Sequence, residues 1–158
     1  MFVRKDVGMR AATRTRRMLA VGLVGALAFT TLTAEPAGAV TRREQRLFRW
    51  INQERTERGI SRLRLSDSLS RKAHRHSRNM ADRGTVSHHS CLSCTLRNYN
   101  YSIAGENVGR ASKMWRVHKL FMGSKTHRQN ILRSGFKKVG VGVVKARGYI
   151  WVTEIFIG

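Results

Sequence analysis

The last twenty residues of this chain constrain its fold more than any other segment. Val139, Val141 and Val143 alternate with two glycines, and residues 149–157 are rich in aromatic and β-branched side chains. Arg147-Gly148 separates the two runs, a pattern that predicts an antiparallel β-hairpin. Because helical patterns precede the hairpin, the sequence predicts an α+β domain in which helices cover a small antiparallel sheet.

Four segments ahead of the hairpin have the apolar spacing of amphipathic helices. They are residues 43–58, 67–82, 113–123 and 126–132. Gly59 and Gly84 follow the first two, where a glycine commonly ends a helix, and Ser112 is the predicted cap of the third. Residues 62–65 alternate and predict a short extended piece, whereas the turn-forming residues in 85–111 predict a long irregular loop.

The first 39 residues have the pattern of a secretory signal peptide. A basic segment is followed by a largely apolar stretch of 14 residues, Leu19 to Leu32, and then by the small-residue site Ala37-Gly38-Ala39. A lone membrane anchor is the alternative, and Arg16-Arg17 leaves the twin-arginine export route open. Cleavage after Ala39 would leave residues 40–158 as a single domain without another membrane-spanning run, secreted or held in the cell wall.

The charge of residues 40–158 is strongly positive. Six of the 31 Lys and Arg and two of the nine acids lie in residues 1–39, which leaves 25 basic and 7 acidic side chains and a net charge of +18. Such a chain is attracted to nucleic acid, anionic lipid or an acidic wall polymer. The basic residues are scattered, as on a solvated basic surface, and no nucleic-acid motif accompanies them. We therefore expect no specific nucleic-acid partner and keep an anionic cell-wall polymer as a candidate.

The two cysteines, Cys91 and Cys94, are close together in the sequence. A disulfide is the expected state outside the cell. Free thiols are one alternative, and a metal knuckle with the upstream His88 and His89 is another.

Two imidazoles and one carboxylate lie in three short stretches, Ser87-His88, Gly105-Glu106-Asn107 and the His-Arg-Gln-Asn-Ile-Leu run over 127–132. They can converge only in a folded cavity, where they could hold a divalent ion or move protons. They could equally form a hydrogen-bonded structural cluster around Glu106. No nucleophile can be assigned a histidine partner, so catalysis is the least favoured of the three readings and enzymatic activity stays undecided.

Other polar and aromatic residues have simpler interpretations. His76 lies on the apolar stripe of the second helix and is interpreted as a core histidine, while His89 could replace His88 as a ligand. Glu154 alternates with apolar residues, so it is either an edge carboxylate or a buried acid with a cationic partner, and it is a candidate to complete the site. Core or cleft-wall positions are expected for Trp50, Trp115 and Trp151, and bonds to loop backbone for Asn107 and Asn130.

The ordered set of these motifs resembles the CAP superfamily, which comprises cysteine-rich secretory, antigen 5 and pathogenesis-related proteins, and in particular its small bacterial secreted branch. The resemblance covers about residues 44–158. It begins with Ile51-Asn52-Gln53-Glu54-Arg55, continues through the three stretches in family order, and closes with residues 139–143 and 151–156. It implies a three-layer α–β–α sandwich with a cleft on one side.

In that family a tetrad of two His and two acids in the cleft binds divalent ions such as zinc. The resemblance implies that His88, Glu106 and His127 are three of the four, whereas the helix over 115–122 offers no acid as the fourth. It further implies an exported binding or effector module that takes a small apolar ligand or an extracellular macromolecule. A wall-polymer adhesion protein and a zinc-dependent hydrolase are the alternatives. No dimer seam is visible in the sequence, so we expect a monomer.

Overall fold

The computed structural model describes residues 40–158, and the predicted signal peptide over 1–39 lies outside the described residues. The helices of this part are α1 Arg42–Thr56, α2 Asp67–Arg83, α3 Leu92–Thr95, α4 Met114–Gly123 and α5 Lys125–Leu132. The strands are β1 Arg64–Leu65, β2 Ala104–Ala111, β3 Lys138–Ala146 and β4 Tyr149–Ile157. None of the described helices combines the length and the apolar character that crossing a membrane requires.

The strands form a single sheet in the order β1-β3-β4-β2. The predicted hairpin is confirmed, because β3 and β4 pair antiparallel and Arg147 and Gly148 turn between them with φ of 52° and 76°. Positive φ at both central residues matches the twist of a two-residue hairpin turn. β2 is also antiparallel to β4, but β1 runs parallel to β3, so the sheet is mixed rather than purely antiparallel.

Helices cover both faces of this sheet, which confirms the α–β–α sandwich. α2 packs on one face, and α1, α4 and α5 pack on the other. The second face holds the larger core, in which Leu47, Ile51 and Phe121 meet the valines of β3. Because side chains alternate along a strand, neighbouring residues of one strand point to opposite faces of the sheet and pack in different layers.

The Val-Gly alternation of β3 has a packing cause. Val139, Val141 and Val143 fill the larger core, while Gly140 and Gly142 face the backbone of α2. A Cβ added at Gly142 would lie 2.2 Å from the carbonyl carbon of Ala73, closer than non-bonded atoms approach. The absent side chains therefore let α2 lie directly on the sheet.

The prediction that residues 85–111 are irregular is wrong, because this segment contains α3 and the eight-residue strand β2. The β signal of β2 is hidden by two glycines and by the polar residues Glu106 and Asn107. Gly109 has a packing role, since a Cβ there would lie 2.8 Å from the Phe121 ring of α4. β-strand propensity predicts a strand poorly where its residues allow close approach of a neighbouring element or make polar contacts.

The outer edge of β3 is covered by side chains where β1 ends. The amide of Val141 donates to Ser70 Oγ of α2, and the amide of Val143 donates to Glu44 Oε1 of α1, both at 3.1 Å. Glu44 also closes a capping box with Thr41 at the start of α1. Two strand amides that would otherwise lack partners are thereby satisfied.

The cysteine prediction is confirmed, since Cys91 and Cys94 form a disulfide. The bond spans the short helix α3, which follows the His88-His89 pair. The predicted Ser112 cap is wrong, because α4 has Lys113 as its N-cap and no side-chain cap bond.

Candidate functional site

The candidate site is centred on Glu106, whose side chain is only 4% exposed. His88 Nδ1 lies 2.8 Å from Glu106 Oε2, and the backbone N–H of His89 donates to the same oxygen at 3.1 Å. The other oxygen, Oε1, contacts His89 Nδ1. One buried carboxylate therefore has an imidazole on each oxygen.

A third imidazole adjoins this cluster. His76 of α2 is buried, and its ring stacks on that of His89 with centroids 3.7 Å apart. Its Nε2 lies 2.8 Å from the carbonyl oxygen of Ser87. The interpretation of His76 as a buried, hydrogen-bonded histidine is confirmed, but its contact with His89 was not predicted. In the sequence, only the adjacent histidines at 88 and 89 indicated that a further imidazole could join the cluster.

Electrostatics keep Glu106 ionised. Burial alone would raise the pKa of Glu106, but hydrogen bonds from His89 and His88 outweigh burial and bring the pKa below its usual value. Burial lowers the pKa of His76, and the nearby His89 lowers it further, although its bond to Ser87 acts the other way. At neutral pH the cluster therefore combines a carboxylate with a neutral His76.

Asn107 points to the opposite face of β2 from Glu106. Its Nδ2 donates to Glu154 Oε2 at 2.9 Å and to the carbonyl oxygen of His127 at 3.1 Å. Asn130 donates to Asn107 Oδ1 at 2.9 Å and to the backbone oxygen of Glu106 at 3.2 Å. Both amides bond backbone, but the acceptors lie in α5 and β2 rather than in a loop as predicted, and these bonds join α5 to the strand that carries Glu106.

His127 lies on α5, with its ring 5.0 Å from that of Phe121. Burial lowers its pKa, and the proximity of His88 lowers it further, so the two imidazoles are within electrostatic reach. Among the described residues, no hydrogen bond or ion pair joins the His127 ring to Glu106. The structure thus brings His88 directly onto Glu106, while the three-ligand set of His88, Glu106 and His127 stays a prediction.

The donors around Glu106 suit a divalent transition metal. One ligand atom each from His76, His89 and Glu106 lie within 4.8 Å of one another. Imidazole nitrogen and carboxylate oxygen are ordinary zinc ligands. This trio shares only Glu106 with the set predicted from the sequence.

Glu154 is fully buried on β4, an inner strand of the sheet, so its predicted burial is confirmed and the alternative of a sheet edge is wrong. The predicted cationic partner is also wrong, because the one hydrogen-bond partner of this carboxyl group among the described residues is the amide of Asn107. Its Oε1 has no hydrogen-bond partner among the described residues. Burial raises its pKa to about 8, although the bond from Asn107 acts in the opposite direction. Glu154 is therefore protonated at neutral pH and contributes no charge to the site.

This buried acid makes stability depend on pH. Between pH 4.5 and about 8, the unfolded chain releases the Glu154 proton while the folded chain keeps it. The folded state then binds more protons, so the free energy of unfolding falls as pH rises, by roughly 1 kcal/mol per unit from this group. The lowered pKa values of His76 and His127 act in the opposite direction, so the prediction concerns the difference between two profiles. In urea unfolding across this range, the free energy of unfolding of Glu154→Gln should fall less, or rise more, with pH than that of the wild type. Parallel profiles would contradict a raised pKa.

The tryptophans differ in environment. Trp151 is fully buried and Trp50 packs against the core, but Trp115 is 48% exposed. Trp115 and Leu120 line a surface groove of about 830 Å³ along α4, beside Arg116 and Lys119. The walls of this groove therefore combine exposed apolar side chains with basic ones.

Helices on both faces of a small mixed sheet, with an imidazole–carboxylate cluster at its outer strand, define a class of α–β–α domain. The model of the family described as CAP, the cysteine-rich secretory protein family, matches residues 48–156. The chain therefore belongs to the CAP family, as its motifs predicted.

Similar proteins come from several bacteria. The uncharacterized protein YkwD of Bacillus subtilis is 32% identical over 136 residues, which are 82% of this chain and 52% of that protein. An extracellular SCP-domain protein from Bacillus anthracis is 27% identical, with a TM-score of 0.66, over 73% of this chain and 40% of that one. An outer surface protein of Borrelia burgdorferi shares the fold at 15% identity, with a TM-score of 0.68, over 75% of this chain and 94% of its own. The chain thus spans about half the length of YkwD.

Proposed function

We propose that this chain is an exported binding module of the CAP family whose cleft holds a divalent cation at Glu106. The observation that carries the proposal is the buried, ionised Glu106 carboxylate with imidazole nitrogens on both of its oxygens. A buried carboxylate is costly unless it is paired, and a metal ion is one of the partners that compensate for this cost. The extracellular description of the Bacillus anthracis relative supports export.

Two donor sets compete for the cation. The predicted set of His88, Glu106 and His127 benefits from a neutral His127, because its unprotonated ring nitrogen has a lone pair free to bind metal. The other set, His76 and His89 with Glu106, borders a cavity that is also lined by Lys72 and Arg75. Because two fixed positive charges oppose a metal ion there, we favour the predicted set.

The hydrogen bonds of the cleft give no support to catalysis by a side-chain nucleophile. Within residues 40–158, no hydroxyl or thiol side chain is hydrogen-bonded to His76, His88, His89 or His127, so these residues form no nucleophile–histidine pair. A bound zinc would supply a Lewis acid, while this chain's residues would hold and orient it. Binding would also release any proton held by the imidazole nitrogens that contact Glu106.

Zinc titration by calorimetry at pH 7 tests the proposal. We expect Glu106→Gln to weaken zinc binding at least tenfold, because it removes the only charged ligand at the centre of the site. His127→Ala should weaken binding more than His89→Ala if the predicted set is correct. His74→Ala is the matched control, because His74 lies on the same helix as His76 but outside the cluster. A wild type that takes up no zinc, or a Glu106→Gln variant that binds it equally well, would refute the proposal.

A second candidate function is adhesion to an anionic wall polymer. The observation that favours it is the net charge of +18 on residues 40–158. Attraction of this kind weakens steeply with added salt, because small ions screen the protein and replace it on the polymer. It requires no metal and no intact Glu106 cluster, which separates it from the first candidate.

A further inference from the structure

A small cavity of about 250 Å³ lies against α2, on the side of the histidine cluster. Its lining residues come from α2, from the histidine pair after it and from α3. They are Lys72, Arg75, His76, Asn79, His89 and Thr95. The side chains thus offer ammonium, guanidinium, amide, hydroxyl and imidazole groups, and no carboxylate is among them.

The helix that supplies most of these groups is unusually basic in its middle. Residues 71–79 contain three arginines and one lysine and no acid, and the acids of α2, Asp67 and Asp82, lie near its ends. Like charges three or four residues apart on a helix repel each other. Neither Lys72 nor Arg75 forms an ion pair with a carboxylate in the part of the chain that the structure describes. Lys72 Nζ lies 5.9 Å from the centroid of the Tyr99 ring, but no carboxylate among the described residues offsets the repulsion.

Glu106 is the acid nearest the cavity, but it cannot neutralise these cations. Its two oxygens already contact His88 and His89, and its side chain is 4% exposed. His89 borders the cavity and contacts Glu106 through Nδ1, so the imidazole lies between the carboxylate and the cavity. The cavity is therefore a positively charged space rich in hydrogen-bond donors.

We propose that this cavity binds a phosphate group, either free or as part of a phosphodiester. Lys72 and Arg75 both line the cavity, and ammonium and guanidinium groups are the cations that proteins use to bind phosphate. The amide of Asn79 and the hydroxyl of Thr95 add neutral donors for the remaining oxygens. This inference gives the second candidate function, adhesion to an anionic wall polymer, a specific binding site. It depends on that candidate only in naming the polymer as the source of the phosphate.

Binding of inorganic phosphate, measured by calorimetry at low salt, tests the cavity directly. Lys72→Gln and Arg75→Gln should each weaken phosphate affinity about tenfold, because each removes a charged hydrogen-bond donor. Arg71→Gln and Arg78→Gln are matched controls, since they remove the same charge from exposed positions of α2 outside the cavity. They should change affinity less than twofold. Thermal unfolding of all four variants checks that each is folded.

A second arm uses immobilised poly(glycerol phosphate), a phosphodiester polymer. Retention that falls for Lys72→Gln and Arg75→Gln, but not for the controls, would support a polymer phosphodiester as the ligand. Phosphate binding through the same two residues without retention of the wild type would support a free-phosphate site and refute the polymer candidate. An equal loss of binding in all four variants would refute the cavity as the binding site, because net charge alone would then explain binding. Absence of phosphate binding and of polymer retention would overturn both.

Discussion

Gly142→Ala will destabilise this protein severely, lowering the free energy of unfolding by at least about 3 kcal/mol. The new Cβ would lie 2.2 Å from the carbonyl carbon of Ala73 and 2.2 Å from the amide nitrogen of His74. Both are backbone atoms in the middle of α2, so no side chain can rotate away and the helix must move off the sheet. Urea unfolding followed by circular dichroism measures the loss, and a variant recovered only in insoluble form is the extreme of the same outcome.

Gly123→Ala is the matched control for this substitution. Gly123 also lacks a side chain, but a Cβ there would meet no atom within 4 Å. We expect its free energy of unfolding to stay within about 0.5 kcal/mol of the wild type. If Gly142→Ala were as stable as Gly123→Ala, this result would contradict the close packing of α2 on β3.

Arg55→Met will have the second large effect, a loss of about 3–5 kcal/mol in the free energy of unfolding. Arg55 is fully buried near the end of α1. Its guanidinium donates to the carbonyl oxygens of Ser61, Ile131 and Arg133 at 2.8 to 2.9 Å, and more weakly to that of Phe136 at 3.5 Å. Methionine fills a similar volume but donates nothing, so these carbonyls would lose their bonds to Arg55.

Arg58→Met provides the comparison for Arg55→Met. Arg58 lies in the turn that follows the same helix, with its side chain 44% exposed and paired with Glu54. An exposed pair four residues apart contributes only about 0.5 kcal/mol or less. Chemical unfolding of the two variants should therefore separate them clearly. Similar losses for both would mean that charge, rather than the buried hydrogen bonds, stabilises this region.

The layer architecture could be predicted because apolar periodicity is a direct consequence of which face is buried. The spacing of 67–82 and the alternation of 139–143 each gave the correct element. β2 was missed because its glycines and its polar pair Glu106 and Asn107 conceal the strand pattern. Those residues are explained only by what they contact in the folded chain, namely Phe121, the histidines and Glu154.

The candidate site was predicted in part. Sequence order and residue type placed His88 with Glu106, and the two are in contact. The stacking of His76 on His89 depends on how α2 lies across the sheet, which no local pattern encodes. Glu154 shows the same limit, since alternation predicted its face but could not reveal that its partner is Asn107 rather than a cation.

The hydroxyl of Ser70 and the carboxylate of Glu44 have a consequence beyond this fold. Because these groups accept hydrogen bonds from the amides of Val141 and Val143, the amides are not available to pair with another strand at this edge of the sheet. An extended segment of a second molecule would have to displace both groups before it could pair there. At high concentration, this arrangement protects the protein against fibre growth from that side.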